Sequence, residues 1–207
     1  MTFSLLQLSK TALEALAASR VPEGLETRIE QDSLPPAFVA ARSLELAAAG
    51  QPAPWSTTFL IVNDEDTRIV GGCGFKTAPL NGRVEVGYGV APAAQGQGAA
   101  TAALHLLLQR AFEAGAIEVL AEVEPINHAS IRVVQKAGFK NVGSRVNNEN
   151  EYVVQWAKRS EAQHQNARPA QWARAFSTTR AWRFAVGPAS ARTSSIAIQS
   201  VRALRTE

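Results

Sequence analysis

The residues best placed for chemistry lie where small side chains interrupt an apolar pattern. Residues 95–101 read Gln95-Gly96-Gln97-Gly98-Ala99-Ala100-Thr101. They stand between a strand-like run, residues 84–90 (V-E-V-G-Y-G-V), and a long Ala/Leu segment with helical spacing. A glycine-rich turn that opens a helix leaves several backbone N–H groups without intrahelical partners and points the positive end of the helix dipole at them. Such a corner binds anions, phosphates above all. Gly96-x-Gly98 also fits half of a dinucleotide fingerprint. The third glycine of that fingerprint would fall at Thr101, and the preceding strand is third in a meander, which is the wrong context. A Walker loop fails because no Gly-Lys-Ser/Thr follows.

Other chemistries have less support. His105, His128 and His164 are scattered, with no ligand cluster at metal spacing around them, so no metal site is expected. Cys73 is the only cysteine. An internal disulfide is therefore excluded, and the usage suits a reducing, cytoplasmic setting. With no histidine beside it, Cys73 reads as a small buried residue. No run nears the roughly 18 apolar residues of a membrane span, and residues 1–10 lack the basic flank and apolar stretch of a signal peptide.

The elements that must position the loop follow from periodicity. A first strand is expected near residues 3–8, then a helix capped by Ser9 or Thr11. A second helix starts after Pro35-Pro36 and stops before Gly50. Residues 57–62, 69–76 and 84–90 read as three consecutive strands. The phosphate-loop helix spans about 97–114, with Leu104, Leu107, Leu108, Ala111 and Phe112 on its apolar side and Gly115 as its stop. A strand (117–123), a helix (127–137) and a hairpin (139–142, 152–156) complete β-α-α-β-β-β-α-β-α-β-β. The fold class is α/β, a mixed and mostly antiparallel sheet flanked by helices. Trp55, Phe59 and Phe75 belong to its core, with Trp55 as a pocket lip if exposed.

Charge divides the 207-residue chain. Residues 1–159 carry 14 Lys and Arg against 16 Asp and Glu, whereas residues 160–207 carry seven arginines against two glutamates. The expected organisation is one domain over 1–159 and a basic, disordered tail over 160–207. The tail's composition resembles a mitochondrial presequence at the wrong end of the chain. It leaves a nucleic-acid contact open without arguing for one.

Two motifs together give these residues a family resemblance. The loop resembles the phosphate loop of the GNAT superfamily of acetyltransferases, Gln/Arg-x-x-Gly-x-Gly/Ala, with Gln95, Gly98 and Ala100 at the defining positions. The run that follows is similar to the A-T-E-A-L of the ribosomal-protein-alanine type, with Ala102 in place of the glutamate. Asn127, Ser130, Val133, Lys136, Gly138 and Phe139 match that group's N-x-x-S-x-x-V-x-x-K-x-G-F, and Glu85-Val-Gly-Tyr88 resembles its E-I-G-Y strand. The resemblance covers about residues 3–158. It implies the acyl-CoA N-acyltransferase fold, acetyl-CoA as donor and an amine as acceptor. The oligomeric state is left open.

The implied cofactor set is Tyr88, Val90, Gln95, Gly96, Gln97, Gly98, Ala99, Ala100, Thr101, Asn127 and Ser130. Backbone N–H groups of the loop would hold the pyrophosphate, and the pantetheine arm would lie along residues 86–90 like an added strand. Asn127 would bond that arm or a water, and the Val90 N–H would stabilise the oxyanion. Ser130 would protonate the leaving thiolate, against the competing role of capping its own helix. An acceptor ammonium, with a pKa near ~10.4 for a lysine-like amine, must lose a proton before it attacks. Glu85 is the expected base, with Glu122 and Glu124 in reserve. Lys136 caps its helix or meets a CoA phosphate. The competing reading is an acyl-CoA-binding regulatory module that contacts partners through the basic tail.

Overall fold

The computed structural model describes residues 1–161, so the basic segment lies outside the described residues except for its first two positions. The elements are β1 (Phe3–Gln7), α1 (Lys10–Ala17), α2 (Ala37–Ala48), β2 (Thr58–Asn63), β3 (Ile69–Phe75), β4 (Arg83–Val90), α3 (Ala99–Glu113), β5 (Glu118–Val123), α4 (His128–Lys136), β6 (Lys140–Val146) and β7 (Tyr152–Arg159). This is the expected order. The seven strands form one sheet in the order β1-β2-β3-β4-β5-β7-β6. Every pairing is antiparallel except that of β4 with β5. A parallel pair needs a long crossover, and α3 provides it.

Local sequence explains the ends of these elements. Ser9 caps α1, its hydroxyl accepting from the Ala12 N–H at 3.2 Å. Pro36 precedes α2, and Gly50 leaves it at φ 78°. The phosphate-loop helix starts at Ala99, two residues later than expected, because Gly98 sits at φ 92° and cannot be helical. A short 3-10 turn, Pro92–Ala94, fills the loop before it. The last two strands are longer than the sequence suggested. β7 pairs with β5 along its whole length as well as with β6, a non-local ladder that residue types alone do not announce.

The sheet buries both faces of its centre. Leu60, Val62 and Ile69 pack with Leu13, Leu16 and Ala40 beneath α1 and α2. Phe59, Ile61, Phe75, Val84 and Val86 pack on the other face with Leu104, Leu107 and Ala111 of α3 and with Val134 of α4. β2 is therefore buried at all six positions. Trp55 is also in this core, edge-on to Phe75 at 4.9 Å between centroids, so it is not a pocket lip. Gly71 is required by close approach, since a Cβ there would meet the Gly89 carbonyl oxygen at 2.2 Å.

Candidate active site

β4 carries the site because it leaves its neighbour halfway along. It pairs with β5 only at Arg83, Val84 and Glu85, opposite Glu118, Val119 and Leu120. The paired end is anchored by Glu118, nearly buried, which takes both Arg83 and, at 2.8 Å, Arg159. On its other side β4 stays bonded to β3: Lys76 N–H donates to the Glu85 carbonyl at 2.8 Å and Ala91 N–H to the Val70 carbonyl at 2.8 Å. By strand alternation, Val86, Tyr88 and Val90 turn their backbone groups toward the gap that opens from β5. The gap leads into a cavity of about 750 Å³ that reaches from α2 across β3 and β4 to the start of α3 and the side of α4.

The start of α3 forms one end of this cavity. Gly96, Gly98, Ala99, Ala100 and Thr101 all line it. Intrahelical bonding begins with the Ala102 N–H, which donates to the Gly98 carbonyl at 3.0 Å, so the N–H groups of Ala99, Ala100 and Thr101 are left for a ligand. The two glutamines shape the loop. Gln95 Nε2 donates to the Val90 carbonyl at 3.3 Å and Gln97 Nε2 to the Ala93 carbonyl at 3.0 Å. Of the two, Gln95 lines the cavity and Gln97 does not. Arg132 and Lys136, four residues apart on α4, bring positive charge to the same wall. Arg132 belongs to no motif, but its spacing from Lys136 puts both on one helix face.

Further in, two hydroxyls face the cavity. Ser130 is 1% exposed and Tyr88 is 8% exposed. Neither hydroxyl has a hydrogen-bond partner of acceptable geometry. Burial pushes the Tyr88 pKa up to about 12, and the nearby Ser130 hydroxyl tempers that rise, so Tyr88 is a neutral proton donor at working pH. Ser130 does not cap its own helix. Asn127 does, its Oδ1 accepting from the Ser130 N–H at 3.0 Å. Asn127 thus orders the turn that presents Ser130, and it is not itself in the cavity wall. Val90 is in the wall.

The carboxylates sit on the other face of the sheet. Glu85 pairs with Lys76 Nζ at 2.5 Å, and of the two only Lys76 reaches the cavity. Glu122 is 6% exposed in its side chain and accepts from Arg145 at 2.6 Å and Gln155 at 2.9 Å. Burial pushes its pKa up, but these hydrogen bonds and the Arg145 and Lys76 charges outweigh that and hold it below the ordinary carboxylate value. A carboxylate tied by two donors and almost closed to solvent is a poor base, whereas Glu85 has the single partner Lys76 and a side chain 21% exposed. Glu124 is half-buried and outside the cavity wall. Cys73 lines the cavity, but burial raises its thiol pKa well above the usual value, against a smaller opposing effect of Arg110. It is no nucleophile at neutral pH. Among the described residues, no group of three or more metal-ligating side chains is found.

A strand that parts from its parallel neighbour above a helix start with free N–H groups leaves room for a long, phosphorylated ligand. Residues 13–140 match the acetyltransferase (GNAT) domain family, and the chain belongs to it. An uncharacterized N-acetyltransferase, p20, from Bacillus licheniformis is 31% identical over 101 residues, 48% of this chain and 54% of the relative. The chain thus spans about half the length of that curated relative. Among solved structures, the ribosomal-protein-S5-alanine acetyltransferase from Vibrio fischeri is similar at a TM-score of 0.57 and 16% identity, over 78% of this chain and 94% of that one. An aminoglycoside acetyltransferase in complex with coenzyme A matches at 0.55 and 15%, over 80% and 99%. At such identities these two likenesses establish the fold alone. No helix among the described residues is long and apolar enough to cross a membrane.

Proposed function

We propose that the protein transfers the acetyl group of acetyl-CoA directly to a primary amine, without a covalent enzyme intermediate. The observation that carries this reading is the parting of β4 from β5 above the free N–H groups of Ala99, Ala100 and Thr101. The pyrophosphate would rest on those amides, with Arg132 and Lys136 near the remaining phosphate charge. The pantetheine arm would bond the unpaired edge of β4 as an extra strand. The Val90 N–H would stabilise the oxyanion.

In the transfer, the amine nitrogen attacks the thioester carbonyl carbon, an N–C bond forms and the C–S bond breaks. The acceptor ammonium gives up two protons over the reaction. One ends on the CoA sulfur, delivered by Ser130, and the other goes to solvent through Glu85. Since Lys76 and not Glu85 reaches the cavity, the proton path to Glu85 runs through water alongside their ion pair. Tyr88, buried and neutral beside Ser130, lends the serine its proton and regains one from the ammonium nitrogen of the tetrahedral intermediate, so the second acceptor proton replaces the one placed on sulfur. The alanine-directed motif and the Vibrio fischeri neighbour support a protein N-terminus as acceptor class, while the aminoglycoside acetyltransferase supports a small-molecule amine.

The test is a thiol-release assay on the full chain with acetyl-CoA and panels of peptides, polyamines and small amines. Amine-dependent release of free CoA supports the reading. Tight CoA binding with no turnover on any panel overturns it in favour of a binding module.

A further inference from the structure

The α2 end of the cavity has its own chemistry, distinct from the phosphate end. Its walls are Leu34, Pro35 and Val39 over a glycine floor. A Cβ on Gly72 would meet Pro35 at 3.1 Å, so the wall closes directly on the sheet. Three charged residues line this end: Asp32, Lys76 and Arg42. Lys76 is neutralised by Glu85 at 2.5 Å. Arg42 is not neutralised. Among the described residues it forms no ion pair, with Asp32 or any other acid, and its one hydrogen bond is a 3.5 Å contact from Nη1 to the Lys76 carbonyl. A second donor lines the same end of the cavity. Ser33 is 3% exposed, lines the cavity, and its Oγ has no partner. The other buried hydroxyl at this end, Thr58, is spent on Ser43 at 2.9 Å.

A buried hydroxyl without a partner is costly unless a ligand supplies one, and a planar guanidinium is best matched by a carboxylate. We infer that Arg42 and Ser33 form a carboxylate-binding subsite, and that the acceptor is an amine that also carries a carboxylate. This deepens the acetyl-transfer reading and rests on it. A polycation is a poor acceptor for this wall, where Asp32 is offset by the unpaired Arg42 and Lys76 is already matched by Glu85. The carboxylate belongs either to a free amino acid or to an acidic residue near a peptide N-terminus.

Binding to the full chain saturated with CoA separates these sources and does not depend on turnover. The probes are free amino acids, their carboxamides, acidic tripeptides with their amidated counterparts, and spermidine. Carboxylates should bind at least tenfold more tightly than the matched amides, and Arg42→Gln should erase that difference while leaving amide and CoA affinity unchanged. Arg42→Lys should restore part of it. Ser33→Ala should weaken the acids severalfold and the amides little. A free amino acid that shows the preference identifies a small acceptor, and a preference confined to tripeptides identifies a peptide. Equal binding of acid and amide, strongest binding of spermidine, no binding across the panel, or an equal loss for both in Arg42→Gln overturns the subsite. If the preference holds but no acetyl group moves, the transfer reading fails and the subsite stands.

Discussion

At the residue scale the account depends on Ser130, Tyr88 and Glu85, and each role separates from the others by measurement. Ser130 is freed for chemistry because Asn127 takes over the cap of α4. Ser130→Ala should lower kcat about a hundredfold, the low end of general-acid contributions, with the KM for acetyl-CoA nearly unchanged. A matching rise in that KM with unchanged kcat would instead make Ser130 a binding residue. Tyr88, raised to about 12 by burial, should keep its proton through pH 11. Ultraviolet difference titration of the wild type against Tyr88→Phe checks this, because the lost component should ionise only above that pH. The neutral form favours folding, so this contribution is complete below pH 10 and falls away as pH rises through 12. Glu85→Gln should lower kcat/KM about a hundredfold and leave CoA affinity intact. An unchanged kcat/KM would reduce Glu85 to the partner of Lys76.

At the scale of elements, the site is the departure of β4 from β5 and the sharp start of α3. Gly98 holds that start at φ 92° with open space around its Cβ position. Gly98→Ala therefore meets backbone strain and no clash. The cost should be about 1–2 kcal/mol, read as a lower unfolding midpoint and weaker CoA binding together. Much of this was legible in the sequence. The small residues from Gly96 to Thr101 announced a sharp helix start with free backbone N–H groups, and Asn127 and Ser130 stood at a recognisable spacing. What spacing could not give was direction. Gln95 and Gln97 occupy motif positions, yet their amides turn back on the Val90 and Ala93 carbonyls. Arg42 and Ser33 had no motif at all. They reach the site only because α2 packs on β2 and the segment before it closes over Gly72 of β3, a tertiary placement that local pattern does not encode.

At the scale of the whole molecule, the sheet's two halves do different work. In the β1–β4 half, β2 and β3 are buried on both faces and supply the floor. The β5–β7 half is held on one face by polar links, Glu118 with Arg83 and Arg159, and Glu122 with Arg145 and Gln155. Glu122 is held below its ordinary pKa, so its stabilisation is present above the unfolded carboxylate value and is lost as pH falls through the folded one. Glu122→Gln should cost about 1.5–3 kcal/mol near neutral pH and flatten the acid limb of the stability curve below about pH 4.5. Equal acid sensitivity in both proteins would place the sensitive group elsewhere. The central claim is that the cavity brings donor and acceptor together for direct transfer. Rapid-quench measurement of CoA release by the full chain, with and without an accepted amine, tests it most directly. The account predicts release only with the amine, one N-acetyl product for each CoA and no acetyl group on the protein. A stoichiometric burst of CoA without amine, with the acetyl group retained on the chain, would contradict it.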